Sequence, residues 1–456
     1  MQTIFAGTAL LPEGWTSDVE VTIGQDGRIS DVTPNTTPSP AAKRVPVLLA
    51  APSNLHSHTF QRAMAGLAES RGPSGRDSFW TWREIMYRFL DILSPEEIEV
   101  IAAFAFMEMQ EAGFAAVAEF HYLHHGPGGR AYDDIGELSS RIAAAASGTG
   151  TGLTLLPVHY AQGGVDGRPL AGGQLRFGND LDRYRLLFER AEAIVDDMPA
   201  DTGIGVAPHS LRAVSPGDLA ALAKYRPNRP IHMHIAEQEK EIEETMAVFG
   251  KRPVEWLLDN AVVDDRWCLI HCTHMTPDET RRLAATGAVA GLCPVTEANL
   301  GDGIFDGERF LQEGGSIGVG SDSNILISVT GELRQLEYSQ RLRDRARVVM
   351  AGAGQSAGRI LWDTALAGGA RALARDSGQI AQGRFADLVA LDPAAGGFGH
   401  LSGDRLLDAF IFTSGREAVS DLWSAGRHSI RDGRHVARET IAKRYHYCLG
   451  SIMARL

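Results

Sequence analysis

Short runs of apolar and β-branched residues recur along the chain, each followed by a longer stretch whose apolar positions repeat every three to four residues. The runs are "VPVLLAAPSNLHSH", "AAVAEFHYLHH", "TGLTLLPVHYA", "GIGVAPHSLRAV", "PIHMHIAEQ", "RWCLIHCTH", "AVAGLCPVTEAN" and "SIGVGSDSN". Their hydrophobicity is continuous rather than alternating, which predicts strands buried on both faces, as in a parallel sheet. The stretches between them carry helix-start signals. Ser94-Pro95-Glu96-Glu97 combines an N-cap serine, proline at the first helical position and glutamate three residues on, and the pattern stops at Gly113. Thr276-Pro277-Asp278-Glu279 repeats it up to Gly287, and Ser215-Pro216-Gly217-Asp218 is a third start.

Eight strand–helix units predict an α/β fold, a (β/α)8 TIM-like barrel. A doubly wound open sheet fits less well, because polar residues load nearly every strand end and no Gly-rich phosphate loop follows the first strand. The two chain ends read differently, with short strand-like pieces such as "DVEVTIGQDGRISDV", "GRFADLVALDP" and "DLWSAGRHSIRDGR". We expect residues 1–48 and 377–456 to build one small β-sandwich domain from both termini, with a closing helix near 436–455, around a barrel spanning 49–376.

Composition narrows the class. A chain of 456 residues with 44% hydrophobic and 22% charged residues is ordinary for a globular protein. The net charge of -13 argues against a nucleic-acid partner. No run approaches a membrane span and the N-terminus has no signal-peptide pattern, so a cytoplasmic protein without a membrane partner is expected. Cys268, Cys272, Cys293 and Cys448 form no disulfide framework, in keeping with a reducing compartment.

Histidine placement carries the chemistry. His56 and His58 stand i, i+2 on a strand, so their side chains leave the same face. One such pair is a weak signal. A second, His232 and His234, ends the fifth run with Glu237 three residues beyond; His271 ends the sixth run and Asp322 the eighth. Eleven of the fifteen histidines lie between positions 56 and 274, nearly all at strand ends. A barrel gathers those ends onto one rim. Imidazoles with a carboxylate suit zinc, which brings the pKa of water down toward about 7. Glu237 and Asp322 are then candidate proton acceptors, and His271 can hydrogen-bond an attacking oxygen. Two-metal barrels commonly need a bridging residue at the fourth strand end, often a lysine. Lys43, Lys224, Lys240, Lys251 and Lys443 all lie away from strand ends, which favours a single ion.

In "NLHSH", "HIAEQ", the first histidine of "IHCTH" and "GSDS", the chain resembles the deaminase branch of the amidohydrolase superfamily. Longer segments, "PSNLHSHTFQRAMAGLAE", "AVAEFHY", "HSLRAV", "TEANLGDGIF" and "LEYSQRLRDR", are similar to members that remove the imino nitrogen of a formimino dicarboxylic amino acid. The resemblance implies one Zn2+ per subunit held by His56, His58, His234 and Asp322. It implies proton transfer by Glu237 and His271, and substrate contacts from Gln61, Arg83, Tyr122, His209 and Arg212. The implied substrate is the small molecule N-formimino-L-glutamate, and the implied assembly is a homodimer. Arginine forks suit its two carboxylates. His232 is left as a strand-end support. A zinc deaminase acting on a nucleobase or another imino or amidine substrate shares the metal motifs, and a metal-dependent barrel without catalysis is the reading from another class.

Overall fold

The computed structural model describes residues 2–70 and 79–456. Four strands lead the chain: β1 (Gln2–Leu11), β2 (Gly14–Ile23), β3 (Ile29–Thr33) and β4 (Lys43–Ala50). The barrel strands follow as β5 (Ser53–Ser57), β6 (Ala116–His121), β7 (Gly152–His159), β8 (Gly203–Ile204), β9 (Ala207–Pro208), β10 (Ile231–Ile235), β11 (Trp267–His271), β12 (Val289–Leu292) and β13 (Ser316–Val319). The chain ends with β14 (Leu388–Leu391), β15 (Val419–Ser424), β16 (Arg427–Arg431), β17 (Arg434–His435) and a helix, Arg438–Met453.

Strands β5 to β9 pair in parallel, as do β10 to β13. Parallel bridges Val206–Ile231 and Ser57–Asp322 join the two sets at both seams, forming a ring. The fourth barrel position is split into β8 and β9, both paired to β7. Every residue of β5, β6, β7, β10, β11 and β12 is buried, as the continuous apolar runs predict. Helices begin where their signals stand. Ser94 and Glu97 form a reciprocal capping box on Pro95–Glu111, Thr276 and Glu279 do the same for Pro277–Ala284, and Ser215 caps Pro216–Leu222.

The strands from both termini form one continuous eight-stranded sheet in the order β17-β16-β15-β14-β4-β1-β2-β3. Here the first run, "VPVLLAAPSNLHSH", departs from a single strand. Its first half is β4, paired to β1 and β14 in the terminal sheet, and its second half is β5 in the barrel. Pro52, which has no N–H to continue a ladder, lies between them. Among the described residues, no helix is long and apolar enough to cross a membrane. The four cysteines are free and buried.

Candidate metal and active site

The strand ends carry the site because the backbone turns sharply there. Ala236, His271, Cys272 and Asp322 all have positive φ, between 43° and 74°. Such conformations are costly for residues with a side chain and persist where the surroundings hold them. Asp322 is held by β5: its N–H donates to His56 O and its carbonyl accepts from His58 N, both at 2.9 Å. Gly320 permits this approach, since a Cβ there would stand 2.8 Å from both the N and O of His56. Asn324 then donates to Ser57 Oγ, His58 O and Asp322 O.

Four donor side chains converge at this rim. His56 Nε2 lies 3.1 Å from His58 Nε2 and 3.1 Å from His234 Nε2. Asp322 Oδ1 is 3.3 Å from His58 Nε2 and 3.6 Å from His56 Nε2. Two of the ring hydrogens are accounted for elsewhere. His58 Nδ1 donates to Phe120 O at 3.0 Å and His234 Nδ1 to His209 O at 3.1 Å. Each neutral ring therefore turns an Nε2 lone pair inward, so at least two lone pairs face a third nitrogen and a carboxylate. Proteins do not bury acceptors against acceptors without a cation. Ligands about 2.0–2.1 Å from a tetrahedral ion stand about 3.3–3.4 Å apart, close to these separations. The donor set fits a divalent metal.

Electrostatics agree. Burial pushes His56 down to about 3 and His234 well below the usual imidazole range, which keeps their lone pairs available. Burial would raise Asp322, but the close approach of His56 and the neighbouring His58 and His271 outweigh it and hold the carboxylate ionised. His271 moves the other way. Burial lowers it, yet Glu237, the Glu297 hydrogen bond and Asp322 together raise it to about 10.

Above the donors opens a cavity of about 440 Å3. His58, His234, Asp322, Glu237, His271, Gln61, Arg83, Tyr122, His209 and Arg212 all line it, while His56 lies fully buried beneath. Glu237 Oε2 accepts from Arg212 Nη2 at 2.8 Å, and Glu237 Oε1 stands 3.9 Å from His271 Nε2. Burial disfavours the Arg212 charge, but Glu237 and Glu241 more than compensate. Gln61 Nε2 donates to Tyr122 Oη at 2.9 Å, and buried Gln61 Oε1 finds no partner among the described residues. Arg83 Nε donates to Tyr87 Oη at 2.5 Å, with its guanidinium 5.3 Å from the Trp80 ring centroid. His209 packs on Tyr160 and Tyr122. His232 turns away and bonds Ala372 O at 2.7 Å.

Several lining residues stand outside the expected substrate contacts, though "FWTW" at 79–82 reads in the sequence as lid or interface packing. Trp80, Trp82, Met86 and Tyr87 come from the helix Phe79–Leu90, and Tyr160 and Phe177 from loops after β7. Tyr160 directly follows His159 at a strand end, a signal that could have marked it.

Comparison with known proteins agrees with this geometry. Residues 47–428 match the model of the amidohydrolase family, and residues 1–45 match that of the N-terminal domain of formimidoylglutamate deiminase HutF. The chain is 49% identical to the formimidoylglutamate deiminase of Pseudomonas aeruginosa, over 99% of this chain and 100% of that protein. It is 26% identical to a 5-methylthioadenosine/S-adenosylhomocysteine deaminase of Natronomonas pharaonis, covering 84% of this chain and 78% of the other. Among solved structures, an amidohydrolase from Brucella melitensis superposes with a TM-score of 0.95 at 47% identity, covering 99% and 100% of the two chains. An adenosine deaminase from Xanthomonas campestris with bound zinc shares the fold, with a TM-score of 0.82 at 21% identity over 99% and 98%. The chain belongs to the amidohydrolase family and, within it, groups with the formimidoylglutamate deiminases.

Proposed function

We propose that the protein hydrolyses N-formimino-L-glutamate to N-formyl-L-glutamate and ammonia, with one zinc ion per subunit. The observation that carries the reading is a three-imidazole, one-carboxylate donor set at the floor of a cavity that Arg83 and Arg212 line. His56, His58, His234 and Asp322 would hold the ion, which supplies Lewis-acid activation of water near neutral pH. The barrel at 49–376 and the terminal β domain, 1–48 with 377–456, are the structural units of this reading.

The chain's own groups do the rest. Glu237 takes a proton from the attacking water, with Asp322 as a second carboxylate beside it, and His271 hydrogen-bonds the attacking oxygen through Nε2. Water adds to the formimino carbon. Glu237 then passes its proton to the terminal imino nitrogen, making it an amino group; the adduct's hydroxyl proton moves to the same nitrogen through Glu237, the bond from carbon to that nitrogen breaks, and ammonia leaves as the carbonyl forms. Arg212 and Arg83 pair with the substrate carboxylates, fixing the glutamate end and so orienting the formimino carbon. In the free enzyme Arg212 rests on Glu237, so an arriving carboxylate competes for Arg212 at the residue that must exchange protons. Gln61, Tyr122 and His209 complete the polar wall. A cytoplasmic homodimer belongs to the same reading.

The test is ammonia release from N-formimino-L-glutamate by the zinc-loaded protein. Turnover there, with none on guanine, cytosine or adenosine, is the expected result. The reverse pattern would replace this reading with a nucleobase deaminase.

A further inference from the structure

We infer that Glu297, on the far side of His271 from the cavity's reacting centre, is a positioning residue that sets which ring nitrogen His271 presents. The inference rests on the deimination reading above and deepens it.

His271 ends β11 with φ 74°, is 1% exposed, and stacks on His234 with ring centroids 5.6 Å apart. Packing and backbone place the ring but leave open which nitrogen faces the cavity, because a half-turn about the Cβ–Cγ bond exchanges the ring's edges and, when the ring is neutral, either nitrogen can bear the hydrogen. The next barrel unit decides it. Glu297 lies in the first turn of the helix Pro294–Leu300, directly after β12, and is itself 5% exposed. Its Oε1 accepts the N–H of Cys293 at 2.9 Å and stands 3.2 Å from His271 Nδ1. An oxygen already accepting one N–H meets the ring as an acceptor, so Nδ1 bears a hydrogen whether the ring is charged or neutral. That leaves Nε2 turned toward Glu237 Oε1, 3.9 Å away, as the nitrogen that exchanges hydrogen bonds with the reacting atoms. Short attachment to Cys293 keeps the carboxylate from following the ring if it turns. Without that acceptor, Nδ1–H would be buried unpaired, and a half-turn of the ring would misplace the active nitrogen. Glu297 touches no reacting atom; it acts through His271.

The experiment uses the zinc-loaded full chain with N-formimino-L-glutamate. In Glu297→Gln the amide oxygen can accept both N–H groups, and kcat is expected within about threefold of wild type. In Glu297→Ala, kcat is expected to fall on the order of 10- to 100-fold, with KM nearly unchanged and zinc content retained. In a His271→Asn background the same Glu297→Ala change is expected to cost nothing further. An unchanged kcat in Glu297→Ala, or an equal loss in both backgrounds, would overturn the inference. A second measurement needs no change at Glu297. In 15N-histidine-labelled wild type, the ring signal missing from His271→Asn should report hydrogen on Nδ1, and hydrogen on Nε2 alone would refute it. Failure of wild type to turn over N-formimino-L-glutamate would instead sink the deimination reading, while the ring signal would still decide the tautomer.

Discussion

Two buried polar clusters in this molecule are built on opposite principles. One joins the barrel to the terminal sheet: Arg375 bonds Asp387 Oδ2 at 2.6 Å and Oδ1 at 2.9 Å, and Asp201 Oδ2 at 3.0 Å. Arg427 then closes on Asp201 at 2.7 and 2.6 Å, and Ala425 N donates to Asp387 Oδ1. Every carboxylate there meets donors, and the charges are matched by the chain itself. The other is the rim cluster of His56, His58, His234 and Asp322, where acceptors face acceptors and the backbone is strained at Asp322. Complementary burial holds a fold together, whereas convergent lone pairs hold an ion. The first cluster belongs to stability and the second to chemistry, and variants should separate the two.

The largest expected effect is metal removal. Chelation should abolish ammonia release and lower the melting temperature, with both restored by zinc; full activity in metal-free protein would remove the rim cluster from the mechanism. Next, Glu237→Gln should lower kcat by about 10²–10⁴-fold while metal content and the melting transition stay as in wild type. Residual kcat near wild type would take proton transfer away from Glu237. At the other cluster the readouts exchange places. Arg375→Met strands the buried Asp387 carboxylate and takes one of two arginines from Asp201, and should destabilise the fold by about 3–5 kcal/mol in denaturant titration, with kcat of the folded fraction little changed. A variant that lost kcat but kept its stability would blur the distinction.

The smallest effect is a pH dependence of stability. Burial alone would raise the Asp201 carboxyl, but the Arg427 hydrogen bond and the charges of Arg375 and Arg427 bring it below the ordinary value. A depressed folded-state pKa contributes stability that is complete above the unfolded value, about 4, and disappears as pH falls through the folded one. Wild type should therefore lose stability on acidification below about pH 4 more steeply than Asp201→Asn, measured by melting temperature against pH. Parallel acid profiles would show that Asp201 contributes no such term.

Much of this was legible along the chain. The period of two puts His56 beside His58, and the pattern of buried runs puts their partners at the ends of later strands. Capping residues at Ser94, Thr276 and Ser215 start helices where they stand, because their bonds are local. The division of "VPVLLAAPSNLHSH" into strands of two different sheets was not legible. Both halves read as extended chain, and only their partners, β1 and β14 for one and β6 for the other, place them in different sheets. The pocket wall from Trp80 and Tyr87 was equally hidden, since amphipathic helix residues look alike whether they face a core or a cavity.

By itself the sequence determined the strand–helix alternation, the inventory of donors and their order, because these depend on neighbours within a few residues. Only the tertiary structure decided which lone pairs face inward, through carbonyls of Phe120 and His209 drawn from other strands. It alone paired Arg212 with Glu237 and set Glu297 behind His271. Hydrogen-bond direction and charge pairing depend on distances of about 3 Å between atoms far apart in the chain, and ring closure of the barrel is what brings those atoms together.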